Sequence, residues 1–335
     1  MPKDARQAHT IYLLETSELL FLRPNGRKAS KCQLFRPLLW VGMKKAVPLQ
    51  LIWYWLRLMQ RKENKQTSIM KKYIQPILLA IVYMVMQGIA GVAMVIAYLI
   101  MRPELFNDFI NGKAEAVMSG YPMEWLALSV IVSGVLTVLI GTVMKLINWK
   151  TAYSCSGSQM RSAWLPLVAA LCGIVAITVF VEQVQLENVL EQQFAEMMQN
   201  GLGIISICLA APIVEELCFR EGILGGLVRR GVKPWVAIGI SALIFGVIHG
   251  NPVQIAGAGL MGIILGIIYY KSGNIVLTTI LHIFNNSLAT ILALVFGMDA
   301  TLSDIVGSTT ATVAIAIICA IVCVVLFVRY WKSAR

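Results

Sequence analysis

Charged side chains are scarce in this sequence: Asp, Glu, Lys and Arg make up 13% of its 335 residues, about half the share usual in soluble domains. With 58% hydrophobic residues beside them, a soluble globular enzyme is a poor reading. The seven cysteines form no CxxC pair and no framework spacing. Disulfides and a cysteine-ligated metal therefore lack support, and buried thiols acting as small apolar side chains fit better. The HExxH signature of soluble zinc proteases is absent. Histidine is scarcest of all, with three residues in the chain: His9, His249 and His282.

The formal net charge of +11 resembles a nucleic-acid signal until it is located. Residues 1–72 hold 15 Lys and Arg against 4 Asp and Glu, whereas residues 73–335 hold 13 of each sign. A basic block ahead of long apolar runs is a cytoplasmic flank, because Lys and Arg resist translocation. The expected partner is the lipid bilayer, with no nucleic acid.

Apolar runs of the length a bilayer requires follow Lys72 repeatedly. Eight are expected, near Tyr73–Met101, Leu126–Ile147, Trp164–Val184, Leu202–Leu227, Pro234–Gly250, Pro252–Tyr270, Ile275–Gly297 and Thr312–Tyr330. Loop charges alternate in sign along this series. Lys145, Lys150, Arg161, Arg229, Arg230, Lys233, Lys271, Arg329, Lys332 and Arg335 fall on one side. Net-acidic loops with Glu104, Asp108, Glu115, Glu124, Glu187, Glu191, Glu196, Asp299 and Asp304 fall on the other. The fold class is thus all-α: a polytopic membrane protein of about eight transmembrane helices with both termini cytoplasmic.

Four segments follow. Residues 1–69 are a basic cytoplasmic extension. Its stretch Leu49–Met59, with Trp53, Tyr54 and Trp55 between basic flanks, suits an interfacial helix. Met70 followed by two lysines and a span also has the form of an ordinary translation start, so the extension is alternatively an upstream artefact. Residues 70–201 hold three spans, 202–297 a candidate catalytic core, and 298–335 the final span and basic tail.

Ionisable groups at membrane depth cost about 2.5–3.5 kcal/mol each even on lenient insertion scales, which makes each a functional candidate. Glu216 and Arg220, four residues apart, can pair, which leaves Glu215 to face a cavity. Phe245 and His249 share one helix face, as do His282 and Asn286. At ~1.5 Å per residue, Glu215 lies about 21 Å from Arg229, His249 about 24 Å from Lys233 and His282 about 17 Å from Lys271, so the three can meet. Glu221, nearer the helix end, is expected to be solvated. Gly257, Gly259, Gly262 and Gly266 suggest a close helix-packing surface. Taken singly, each polar pair could equally be a packing clasp or interhelical glue.

In these residues the chain resembles the CPBP family, the CAAX-protease and bacteriocin-processing membrane proteins that include type II CAAX prenyl endopeptidases. The family pattern EExxxR, FxxxH, HxxxN is intact and in order as Glu215-Glu216-x-x-x-Arg220, Phe245-x-x-x-His249 and His282-x-x-x-Asn286. The resemblance covers roughly residues 202–296. It implies an intramembrane endopeptidase acting on a membrane-embedded or lipidated peptide, and the form of the Met70 start points to a bacterial cytoplasmic membrane. Glu215 with His249 would activate water, and His282 with Asn286 would stabilise the oxyanion. Glu216, Arg220 and Phe245 would support them. No cofactor is required by this chemistry. Zinc is the alternative, and its ligands would be Glu215, His249 and His282. A proton-coupled transporter and a catalytically silent scaffold are the competing functions.

Overall fold

The computed structural model describes residues 69–152 and 164–332. The interfacial helix expected at Leu49–Met59, and residues 1–68 as a whole, lie outside the described residues.

Among the described residues, seven helices are long and apolar enough to cross a bilayer: α1 (Lys71–Ile100), α2 (Met123–Val143), α3 (Trp164–Val184), α4 (Gly201–Arg229), α6 (Pro252–Ser272), α7 (Ile275–Phe296) and α8 (Thr309–Lys332). The fifth in order, α5 (Pro234–Val247), has 14 residues. At 1.5 Å per residue it is about 21 Å long, short of a hydrocarbon core of about 30 Å. The sequence places a span as far as Gly250. The helix stops sooner because Gly250 adopts φ +63°, a left-handed conformation natural to glycine, and Pro252 lacks the amide that would continue it.

The outward faces are apolar: Val92, Ile96, Ile317, Ile321 and Val324 are all exposed. Such a surface belongs in lipid. Inside, α4 is the central element and touches α1, α2, α5, α6 and α7, while α3 and α8 pack on each other. Two stretches of α4, Ser206–Ala210 and Glu216–Gly225, are π-helical. Such widened turns are uncommon and recur at functional sites.

Hydrogen bonds tie the helix ends together in two separate groups. At the basic end, Arg230 donates to Gln75 (3.1 Å) and Lys271 to the carbonyl of Trp331 (2.9 Å). At the acidic end, the Leu302 amide donates to Glu182 (2.9 Å), and Asn251 joins Asn188 (2.8 Å) and the Val189 amide (3.2 Å). Short helices Pro103–Ile110, Ala114–Ser119, Glu191–Met197 and Leu302–Val306 lie in the acidic loops.

The glycine surface forms in part. A Cβ on Gly262 would meet the Ala242 backbone at 3.0 Å, and one on Gly266 would meet Ile238 at 3.1 Å, whereas one at Gly257 would meet only Val181, at 3.9 Å. The tightest approach of α5 to α6 is at a glycine outside that run. A Cβ on Gly246 would sit 2.7 Å from the Ile255 carbonyl and 3.1 Å from the Gly259 Cα. Backbone cannot yield as a side chain can. Gly246→Ala is therefore expected to cost about 1–3 kcal/mol of stability by overpacking, measurable as a lowered thermal midpoint in detergent.

Candidate active site

Glu215 lies at the middle of α4 and is buried. One carboxylate oxygen, Oε1, accepts a hydrogen bond from the Tyr83 hydroxyl at 3.3 Å, and the other, Oε2, is 3.6 Å from His282 Nε2. The second separation is longer than a hydrogen bond. Glu216, the next residue, is fully buried and contacts the other nitrogen of the same ring, His282 Nδ1, at 3.0 Å. The two adjacent carboxylates thus serve one imidazole from opposite sides. Their angular separation around the helix does not prevent this, because a ring presents nitrogens in two directions.

The expected pairing of Glu216 with Arg220 is present, Nη2 to Oε1 at 3.1 Å. It is an ion pair without hydrogen-bond alignment, and Arg220 Nε, Nη1 and Nη2 all lack an aligned acceptor among the described residues. The guanidinium instead lies over the Phe245 ring, 4.5 Å from its centroid. Such a cation–π contact partly offsets lost hydration. Phe245 is the hinge of the cluster: His249 and His282 both meet its ring edge-on, at centroid distances of 5.0 and 5.8 Å.

His249 lies just past the end of α5, in the turn before Gly250. Its Nδ1 is 2.7 Å from the Phe245 carbonyl oxygen. A carbonyl can only accept, so Nδ1 carries the hydrogen and Nε2 keeps its lone pair. Asn286 gives one amide hydrogen to the Ile207 carbonyl (3.1 Å) and accepts from Asn285 (3.1 Å). That fixes its orientation and leaves its second amide hydrogen for another acceptor.

Glu215, Phe245, His249, His282 and Asn286 line one cavity of about 670 Å³. Glu216 and Arg220 are behind its wall. The volume is within the range of small-molecule and peptide side-chain sites.

These motif residues fall within residues 198–288, which match the family model described as type II CAAX prenyl endopeptidase Rce1-like. The similarity is of that segment alone to the Rce1-like family. No curated protein and no solved structure matches the chain significantly. The Rce1-like segment runs from the start of α4 into α7, so α1, α2, α3 and α8 lie outside it.

Two features of the site are not evident from motif spacing. Tyr83 comes from α1, outside the Rce1-like segment, and its only sequence signal is a polar partner, Gln87, one turn along an apolar run. Glu221 is fully buried, not solvated. It bonds Arg229 at 2.6 Å, the Asn148 amide at 3.3 Å and the Tyr269 hydroxyl. The π-helical geometry of Glu216–Gly225 and the burial of α4 place Glu221 among neighbouring elements, where it joins α4 to α6 and to the loop after α2.

A zinc ion held by Glu215, His249 and His282 would need three donors converging on one point. Among the described residues no three His, Cys, Asp or Glu side chains are so grouped. Both histidines have Nδ1 on a protein oxygen, which leaves Nε2 as the ring nitrogen each presents.

Proposed function

We propose that this protein is an intramembrane endopeptidase that uses glutamate and histidine, without a metal, to hydrolyse a peptide bond in a membrane-embedded or lipidated polypeptide. The observation that carries the reading is a buried, cavity-lining carboxylate whose Oε2 has no aligned donor among the described residues and faces His282 Nε2 across 3.6 Å. Water bound there would lose a proton to Glu215 as its oxygen attacks the carbonyl carbon. His249 Nε2, with its lone pair, would orient that water. The oxyanion would accept the spare amide hydrogen of Asn286 and a hydrogen from His282 Nε2 in its charged form. The proton held by Glu215 then passes to the amide nitrogen as the C–N bond breaks.

The membrane is proposed to be a bacterial cytoplasmic membrane, and the substrate class to include processed peptides such as pheromones and bacteriocins as well as CAAX-type proteins. Beneath Glu215, towards the basic end, Glu216, Phe219, Arg220, Ile223 and Leu224 are at most 1% exposed. This closed floor favours a dead-end reaction chamber over a proton-coupled carrier. The test compares membrane and secreted peptides by mass spectrometry between wild type and Glu215→Ala, His249→Ala and His282→Ala in the native host. Peptides dependent on all three residues support the protease, and identical peptidomes defeat it.

Tyr83 enters this chemistry as a positioning residue. Its hydroxyl holds Oε1, so that the basic lone pairs of Oε2 are the ones presented to water. Tyr83→Phe keeps the ring and its edge contact with Phe219 (5.8 Å) but removes the hydroxyl. Loss of one neutral hydrogen bond of about 0.5–1.5 kcal/mol predicts a roughly 2- to 12-fold fall in kcat. KM should be unchanged and the pH profile moved, and an unmoved profile would assign Tyr83 to packing.

A further inference from the structure

Resting on the endopeptidase reading, we infer that the cavity is entered from the membrane face opposite the basic loops, so that its substrate is a membrane-anchored polypeptide presented on the extracytoplasmic side. The helices contribute to the cavity mainly from the half nearer the acidic loops, and Tyr83 and His282, just past mid-helix, mark its deepest end. Helix α3 supplies Glu182, two residues from its acidic end, and α7 supplies Ala293, three residues from its own. Helix α6 supplies Gln254 from its first turn. The loops themselves contribute Gln193 and Met298, both partly exposed. Among the described residues, none of the basic loops lines it. On that side the buried floor described above intervenes, and it is tied shut by the Ser241 hydroxyl donating to the Phe219 carbonyl at 2.8 Å.

The two ends differ in charge as much as in openness. The acidic loops and helix ends carry ten Asp and Glu against Arg102 and Lys113, while the opposite end holds the other described Lys and Arg apart from Arg220. Because Lys and Arg mark the cytoplasmic side, the mouth faces outward. A lipidated C-terminus displayed in the cytoplasm would meet the closed floor, so of the substrate classes proposed above cytoplasmic CAAX-type proteins drop out and the exported peptides remain. The segment that fits is the juxtamembrane part of an exported or outward-facing chain, reaching about half the membrane thickness to Glu215.

Cysteine accessibility tests the side of entry without any need for activity. In a background with Cys32 and Cys155 replaced by serine, Gln193→Cys and Ala293→Cys should react with a membrane-impermeant maleimide in intact cells. Lys233→Cys should react only after permeabilisation. The reverse pattern overturns the inference, as does an Ala293→Cys that stays unlabelled in intact cells while Gln193→Cys reacts. Peptides whose release depends on Glu215 should come from outward-facing segments, and peptides from cytoplasmic C-termini would again overturn it. Outward labelling with no Glu215-dependent peptide would instead sink the endopeptidase reading and leave the side of entry standing.

Discussion

Glu215→Gln is expected to lower peptide cleavage by about 10²- to 10⁴-fold, the usual cost of losing a positioned general base, while the protein still folds. Gln has the same shape and retains an oxygen for the Tyr83 hydroxyl, which now holds Oε1 at 3.3 Å. It cannot take a proton from water. The assay is release of a Glu215-dependent peptide from proteoliposomes, with thermal unfolding in detergent measured beside it. Wild-type turnover in this variant would remove Glu215 from the chemistry, and a collapsed unfolding midpoint would make it a structural residue.

Arg220→Ala should be the most damaging change to stability. Glu216 and Arg220 are both 0% exposed, and the guanidinium, 3.1 Å away, is the permanently charged partner of Glu216. Removing one partner of a buried pair typically costs about 3–5 kcal/mol, because the other charge is left uncompensated. Total stabilities of about 5–15 kcal/mol make that a large fraction. The Arg220 side chain also fills space against Phe245, so its loss loosens the ring on which both histidines rest. Poor yield and a lowered unfolding midpoint are expected. The double variant Glu216→Gln/Arg220→Ala should regain part of that loss, since it leaves no isolated buried charge. If Arg220→Ala alone is as stable as wild type, the ion pair contributes nothing.

The long helices and the three polar motifs were legible in the sequence because both are local signals. Apolar length marks a span, and a spacing of four residues puts side chains on one face whatever surrounds them. Depth along the helices allows Glu215, His249 and His282 to reach one level, and all three line the cavity, though only Glu215 and His282 face each other directly. What depends on contacts between elements was not legible. Tyr83 looks like any tyrosine in an apolar run until α1 is laid against α4. Glu221 reads as a residue near a helix end, and only the packing of Tyr269 and Asn148 against it reveals its burial. The ring of His282 bridging both glutamates could not be read from an ideal helical wheel. The end of α5 was overrun by three residues because an apolar sequence persists to Ile248 while the backbone has already turned.

The shortness of α5 has a consequence for the second reactant. Hydrolysis consumes a water molecule, and hydrocarbon is a poor supplier of water. A helix about 21 Å long in a layer about 30 Å thick leaves a shortfall of roughly 9 Å, and here the shortfall is at the acidic end, where His249 follows the last helical turn. The turn there is polar, and the fully buried Asn251 draws the backbone of Val189 down onto it. A bilayer adapts to such a mismatch by thinning. A membrane thinned in this way above His249 would bring solvent to the reaction chamber from the same side as the polypeptide.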